Sequence, residues 1–206
     1  MLHLEAIQPH TLGLLKKMMQ DEFLKRFYLV GGTALALHYG HRTSEDIDLF
    51  TNEDYELIEL KAYIQKTFEA DIYFETSIGI RCMIQNVKTD FLNYPYQPLQ
   101  PPSVTDEIRM MTVPDIAAMK LAAINNRGAK RDFYDLYFLL QEYDLKELVN
   151  FFSDKYKITS LFSLYMSLTY FDDAEQDNFP VLLKNKQLSW PQIKKFIEQK
   201  VHEQVR

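Results

Sequence analysis

Three aspartates, Asp46, Asp48 and Asp90, have the types and spacing in this chain best suited to chemistry. Asp46 and Asp48 alternate with Ile47 and Leu49, so on a β-strand both carboxylates point to one face and the apolar side chains to the other. Carboxylates about 7 Å apart along a strand repel each other unless a cation lies between them, and Mg²⁺ prefers such oxygen ligands. The alternative is an acidic, solvated strand face.

Asp90 favours the metal interpretation. It lies in the strand-like segment VKTDFLN. If this strand neighbours that of Asp46 and Asp48, three carboxylates on two strands can hold two Mg²⁺ ions. One ion would grip the triphosphate of an NTP, and the other would lower the pKa of an attacking hydroxyl. The three aspartates are therefore predicted to be both catalytic residues and metal ligands.

A pair of glycines precedes the acidic pair. Gly31 and Gly32 follow the strand-like FYLV, and a short helix is predicted to open at Thr33 and to stop at Gly40. Glycine lets the backbone approach a ligand closely, and a helix N-terminus offers unpaired N–H groups and a positive dipole end. Gly31, Gly32 and Thr33 are predicted to bind nucleotide phosphates. The alternative is that Gly-Gly only makes a tight strand-to-helix turn.

The elements around these residues divide the chain into two parts. Strands are predicted at 27–30, 46–50, 71–76, 79–85, 87–93 and near 107–112, with helices at 4–25 and 54–69. Beyond Pro114, helices are predicted to about Arg127 and at 130–142, 145–155, 159–170 and 190–204. The segment YPYQPLQPPS breaks regular structure between the two parts. This pattern predicts an α+β fold, with a catalytic α/β domain at 1–103 and a mainly helical subdomain at 104–206.

Composition narrows the class of protein. The 206 residues are 47% hydrophobic and 14% aromatic, which predicts a packed core. No apolar run is long enough to suggest a membrane span, and no signal peptide is recognisable, so we expect no membrane partner. Cys82 is the single cysteine, which is compatible with a reducing cytoplasm. The net charge of −6 argues against a broadly basic nucleic-acid coat but allows a local basic patch.

The spacing of the glycines and aspartates resembles a known signature. Gly-Gly, a spacer and then Asp-x-Asp in an apolar strand resembles the DNA polymerase β-like nucleotidyltransferase superfamily, and Asp90 fits its third carboxylate. The fuller string GGTALALHYGHRTSEDIDLF is similar to the AbiEii/AbiGii-type toxin nucleotidyltransferases of bacterial abortive-infection and toxin–antitoxin systems. Within this run Arg42 and Ser44 are predicted to contact the nucleotide. The alternative for Arg42 is an ion pair with Glu45.

The same family has a motif in its helical part, matched here by Lys120, Arg127 and KRDFYDL at 130–136. The resemblance, which spans about residues 25–142, implies that Lys120 reaches the triphosphate. It also places Arg127, Asp132 and Asp135 in the nucleotide site, where the aspartates fix the helix or position the incoming group. The alternative is that these charged residues form ion pairs between two helices.

The resemblance implies a nucleotidyltransferase fold and a Mg²⁺-dependent enzyme. Such an enzyme moves an NMP from an NTP to a hydroxyl of an acceptor and releases pyrophosphate. The implied acceptor is tRNA or another macromolecule, and the implied role is that of a toxin with a cognate antitoxin. Two alternatives stay open: a small-molecule acceptor, as in aminoglycoside nucleotidyltransferases, and an inactive nucleotide-binding module.

Overall fold

A computed structural model describes residues 1–205 and contains one mixed seven-stranded sheet. The strands are β1 (Tyr28–Leu29), β2 (Ile47–Thr51), β3 (Asp71–Thr76), β4 (Gly79–Ile84), β5 (Val87–Asn93), β6 (Ser103–Thr105) and β7 (Ile108–Met110). The helices are α1 (Pro9–Gln20), α2 (Gly31–Tyr39), α3 (Leu57–Phe68), α4 (Val113–Asn126), α5 (Lys130–Leu139), α6 (Leu145–Tyr156), α7 (Phe162–Leu168), α8 (Asp172–Glu175) and α9 (Trp190–Val205). The predicted α+β class is confirmed.

The strand order places the acidic strands side by side. Across the sheet the order is β3-β4-β5-β2-β1-β7-β6. β2 runs parallel to β5 and antiparallel to β1, while β4 runs antiparallel to both β3 and β5. The turn between β4 and β5 is formed by Gln85 and Asn86, which both have positive φ, as tight hairpin turns require. The expected neighbourhood of the strands at 46–50 and 87–93 is therefore confirmed.

Several predicted boundaries differ from the structure. The N-terminal helix predicted at 4–25 is instead a short 3₁₀ helix, Leu4–Ala6, followed by α1. Pro9 explains the break, because a proline disfavours helical backbone at the residue before it and suits the first helical position. The helix predicted from residue 54 begins at Leu57, and α8 lies between the helices predicted at 159–170 and 190–204.

The sheet extends beyond the predicted division between residues 103 and 104. β6 was not predicted, and it pairs with β7, which in turn pairs with β1 near the middle of the sheet. The segment after the proline-rich loop therefore completes the sheet before the helical part begins. The division into two domains stays a prediction.

One continuous hydrophobic core joins the sheet to the helices. α4 packs against α2, α5, α6 and α7, and α2 also packs against β2. The glycine-led helix α2 is thus held between the sheet and the helical part, which fixes the position of its N-terminus. None of the helices in residues 1–205 is both long and apolar enough to cross a membrane.

Candidate active site

The glycine pair lies directly beside the acidic strand. Gly31 has φ +71°, a left-handed conformation that L side chains rarely adopt, and a Cβ added there would lie 2.2 Å from Asp48 Oδ2. A Cβ on Gly32 would lie 2.3 Å from Arg42 Nη2. Close packing within the chain is therefore enough to require both glycines. The N-terminus of α2 has no side-chain cap and lies at the edge of a cavity. An uncapped helix N-terminus of this kind can bind an anion through its free N–H groups.

Two hydroxyls connect this turn to the start of β2. Thr33 Oγ1 lies 2.8 Å from Ser44 Oγ and also donates to the backbone carbonyl of Asp46. Thr33 is buried, whereas Ser44 is half-buried on the cavity wall. These bonds fix the first turn of α2 relative to the acidic strand.

The three aspartates face one cavity of about 350 Å³, within the size range of small-molecule and cofactor sites. Asp48 on β2 is paired in register with Asp90 on β5, and Asp46 lies on the same wall two residues before Asp48. Asp48 is half-buried, and no hydrogen bond or ion pair of its side chain occurs within residues 1–205. Burial and the charge of Asp90 raise the pKa of Asp48 to about 6.

The other two carboxylates lie near arginines. Arg81 Nε is 3.2 Å from Asp90 Oδ2, and Arg131 Nη1 is 3.6 Å from Asp46 Oδ2. Burial raises the pKa of Asp90, while Arg81 opposes that change. In this arrangement no group of three or more histidine, cysteine or acidic side chains in the described chain is close enough to hold a metal ion.

The chemistry of these donors nevertheless fits a divalent cation. All three offer hard carboxylate oxygens, and two of them stand opposite each other on adjacent strands, which lie about 4.8 Å apart. The raised pKa of Asp48 indicates negative charge that the protein itself leaves poorly compensated. A cation at this position would remove that penalty.

Beneath the cavity lies a buried ion network centred on Asp135. Its carboxylate accepts hydrogen bonds from Arg42 Nε at 2.7 Å and Arg42 Nη2 at 2.9 Å, and His41 Nε2 lies 2.8 Å away. Lys120 Nζ lies 2.7 Å from Asp135 and 2.9 Å from Asp132. Although burial alone would raise the pKa of Asp135, Arg42 and Lys120 hold it well below its usual range.

This network decides between two earlier alternatives. Arg42 pairs with Asp135 and not with Glu45, and its forked contact holds the segment before β2 against α5. Asp135 is fully buried and does not line the cavity, so the ion-pair interpretation fits it better than direct contact with a nucleotide. Asp132 is also buried and paired with Lys120, but it does lie at the cavity wall.

The structure brings most of the predicted site residues together. The cavity lining includes all of them except Asp135, namely Gly31, Gly32, Thr33, Arg42, Ser44, Asp46, Asp48, Asp90, Lys120, Arg127 and Asp132. Their distances along the chain are large, so the fold and not local sequence assembles them.

The cavity wall is locally basic although the whole chain is acidic. Six basic side chains and four acidic ones line it. The basic ones are Arg42, Arg81, Lys88, Lys120, Arg127 and Arg131. Arg127 and Arg131 keep about half or more of their side chains exposed, which leaves them able to meet an anionic ligand. The cavity therefore suits an anion held beside a cation, as in a metal-bound triphosphate.

Four basic side chains of this region, Arg81, Lys88, Arg131 and His41, were not among the predicted site residues. Arg81 alternates with buried Ile80 and Cys82, which indicates an outward-facing residue, and Arg131 stands directly before Asp132. No local pattern distinguishes His41, whose partner lies 94 residues away.

Comparisons with known proteins identify the family and the fold. The profile of the family described as "Nucleotidyl transferase AbiEii toxin, Type IV TA system" matches residues 13–204. An uncharacterised protein of Aquifex aeolicus is 32% identical over 195 residues, covering 92% of this chain and 93% of that protein.

Two solved structures share the fold at low sequence identity. A candidate nucleotidyltransferase from H. pylori superposes with a TM-score of 0.57 at 19% identity, over 96% of this chain and 97% of that one. MenT4, a nucleotidyltransferase toxin from Mycobacterium tuberculosis, superposes with a TM-score of 0.53 at 15% identity, over 93% and 86% of the two chains.

Proposed function

The chain belongs to the AbiEii nucleotidyl transferase toxin family, and on that premise we propose that this nucleotidyltransferase moves an NMP from an NTP to a hydroxyl of a macromolecular acceptor. The first acceptor to consider is tRNA, and the reaction is Mg²⁺-dependent. A bond forms between the acceptor oxygen and the α-phosphorus, the bond to pyrophosphate breaks, and the hydroxyl proton leaves to water or a carboxylate.

The observation that carries the proposal is that a helix N-terminus and a pair of carboxylates line the same cavity. The N-terminus of α2 at Gly31 and Gly32 borders the same space as the cross-strand pair of Asp48 and Asp90. One end suits phosphate oxygens, and the other suits the cation that accompanies them.

Each group has a part in the proposed reaction. Asp46, Asp48 and Asp90 would hold Mg²⁺, for which we propose two ions, and the metal would neutralise phosphate charge and acidify the attacking hydroxyl. The first-turn N–H groups of α2 would orient the triphosphate. Lys120 would supply a fixed positive charge at the cavity wall, held in place by its two aspartates.

The remaining basic groups have different parts. Arg127 and Arg131, which are more exposed, would adapt to the phosphates as they bind. Arg42 would act indirectly, because its guanidinium is occupied by Asp135 and holds the segment that leads into β2.

The family assignment also motivates a cellular proposal. Production of the protein in a bacterial cytoplasm would arrest growth, and a cognate antitoxin would relieve that arrest. The expected control is Asp48→Asn, which would be tolerated by the cells. Equal toxicity of the wild type and this variant would contradict a toxic role for nucleotidyl transfer.

Label transfer tests the reaction directly. The protein is incubated with Mg²⁺, one α-labelled NTP at a time, and total bacterial tRNA, with Asp48→Asn as the inactive control. Label on RNA that depends on Mg²⁺ and on Asp48 supports the proposal and identifies the base. Label that appears only when an aminoglycoside replaces RNA would favour the small-molecule alternative. The net charge of −6 supports that alternative, because an acidic protein attracts a cationic drug. NTP binding without any transfer would favour an inactive module.

A further inference from the structure

A row of paired residues runs from the acidic centre to the edge of the sheet. Asp48 is paired with Asp90, Asp90 with Arg81, and Arg81 with Phe74, on β2, β5, β4 and β3 in turn. Side chains of directly paired residues lie on the same face of a sheet. The face that lines the cavity therefore continues, past Asp90, across two more strands to β3.

Two aromatic rings are exposed where this row ends. Tyr73 and Phe74 on the edge strand β3 are 49% and 50% exposed, and the strand has an irregularity in register between Ile72 and Phe74. Tyr73 is the extra residue of this irregularity, so it lies beside Phe74 where β3 passes Arg81. Exposed aromatic residues on an edge strand are an aggregation liability unless something uses them.

One basic side chain, Arg81, stands between the rings and Asp90, and a second, Lys88, lies beside Asp90 on β5. The Arg81 guanidinium lies 5.3 Å from the centroid of the Phe74 ring, and it also contacts Asp90. Lys88 is exposed two residues before Asp90 on β5, so it points to the same face, and it has no ion pair within residues 1–205. Lys88 and Asp46 also line a second hollow that adjoins the cavity.

We propose that Tyr73, Phe74, Arg81 and Lys88 form the acceptor-binding surface of this enzyme, and that it takes the end of a single-stranded RNA. The rings would stack on unpaired bases, which a duplex would keep hidden. The two cations would contact the phosphates that link those bases. This inference rests on the proposed nucleotidyl transfer.

The position of the surface agrees with the reaction geometry. The glycine turn, where the triphosphate would lie, is on the Asp48 side of the row, because Gly31 packs against Asp48. The rings lie beyond Asp90 on the other side. An RNA end on this surface would thus bring its terminal hydroxyl to the carboxylates from the side away from the leaving pyrophosphate, as in-line displacement requires.

The alternation of rings and cations favours RNA over a protein acceptor. A peptide added to the edge of β3 would be held by main-chain hydrogen bonds and would not require Arg81 or Lys88. An RNA strand uses both kinds of side chain, the rings for its bases and the cations for its phosphates.

Binding of a labelled probe separates this inference from the proposed function. The probe is a fluorescein-labelled single-stranded RNA with a free 3′-hydroxyl, titrated in Mg²⁺ and followed by anisotropy. A fluorescent NTP analogue is titrated separately into the same proteins. The first variant is a double variant, Tyr73→Leu with Phe74→Leu, which keeps apolar bulk on the edge strand. The second variant is Lys88→Gln. The matched controls are Phe162→Leu on α7 and Lys66→Gln on α3, both exposed.

We expect the double variant to weaken RNA binding by about 5- to 100-fold, the range for losing one stacked base. Lys88→Gln should lower the salt dependence of RNA affinity by about one phosphate contact. NTP affinity should stay unchanged in the double variant, which also shows that the double variant is folded. Because Lys88 lines the cavity, Lys88→Gln is judged only by the salt dependence of its RNA affinity. The controls should leave both affinities unchanged.

Three results would overturn the inference. In the first, the RNA affinity of the double variant equals that of the wild type. In the second, the controls weaken RNA binding as much as the variants do. In the third, the wild type binds NTP but not RNA, which would leave the proposed nucleotide site intact. The surface would then be assigned to a protein, to a small molecule or to a second copy of the chain. A second copy would be visible as concentration-dependent dimerisation. Failure to bind either probe would instead refute the proposed function itself.

Discussion

Replacing Asp48 with asparagine should make the metal-free protein more stable while it abolishes activity. The rise of the Asp48 pKa from 3.8 to about 6 corresponds to roughly 3 kcal/mol of disfavoured ionisation. Because the side chain is only half-buried and faces a solvent-filled cavity, solvent screening reduces the expected gain to about 1–3 kcal/mol. Asparagine has the same shape as aspartate. The Asp48 side chain makes no hydrogen bond within residues 1–205, so the substitution breaks none there.

The sign of the pH dependence follows from the direction of the shift. The folded-state pKa of Asp48 is raised, so the folded protein binds a proton more tightly than the unfolded chain does. The contribution of Asp48 to stability is therefore lost as pH rises from about 4 through about 6. The advantage of Asp48→Asn should be full at pH 7.5, should shrink as pH falls through about 6, and should disappear below the unfolded pKa of 3.8.

Thermal unfolding in EDTA measures this difference. Wild type, Asp48→Asn and the control Asp154→Asn, an exposed aspartate on α6, are compared at pH 7.5 and pH 4.5. At pH 7.5 the gain for Asp48→Asn should appear as a melting temperature higher by a few degrees, at about 2–4 °C per kcal/mol for a chain of this size. Adding Mg²⁺ should stabilise the wild type more than the variant. If Asp48→Asn is no more stable than the wild type at pH 7.5 in EDTA, the electrostatic argument for a cation at Asp48 is wrong.

Further predictions concern the turn and the ion network. Gly31→Ala should eliminate activity and destabilise the fold by more than 1 kcal/mol, because φ is +71° and the new Cβ would clash with Asp48. The matched control is Gly13→Ala, at an exposed helical glycine with nothing within 4 Å, which should stabilise the fold by about 0.5–1 kcal/mol. Equal effects of the two changes on stability would contradict this reasoning. Asp135→Ala should cost about 3–5 kcal/mol in thermal or urea unfolding because it strands buried positive charge. Arg42→Lys should cost less than that, because it keeps the charge and loses only the forked contact.

Local patterns predicted the strands around the site well. The strands predicted at 71–76, 79–85 and 87–93 match β3, β4 and β5 to within one residue, and Gly40 ends α2 in a left-handed conformation as expected. These features depend on side-chain periodicity and on the special backbone freedom of glycine, both of which are visible in a short window.

Features that depend on distant partners were beyond such patterns. β6 is three residues long with two exposed side chains, so its pairing with β7 has no strong signature. The buried ion network centred on Asp135 joins residues more than ninety positions apart. Tertiary packing decides whether an aspartate on a helix contacts a nucleotide or a buried arginine. The glycine pair illustrates the same limit, since its close contacts are with Asp48 and Arg42.

The span of the Asp135 contacts sets an order of events during synthesis. His41 and Arg42 precede their partner by 94 and 93 residues, a stretch that takes roughly 5–20 s to translate. Until α5 has left the ribosome, the segment before β2 has no carboxylate to hold it, and Lys120 lacks both of its aspartates. A nascent or prematurely terminated chain would thus have the acidic strand without a competent site. A cell that makes this enzyme would be exposed to its activity only from chains that extend at least through α5.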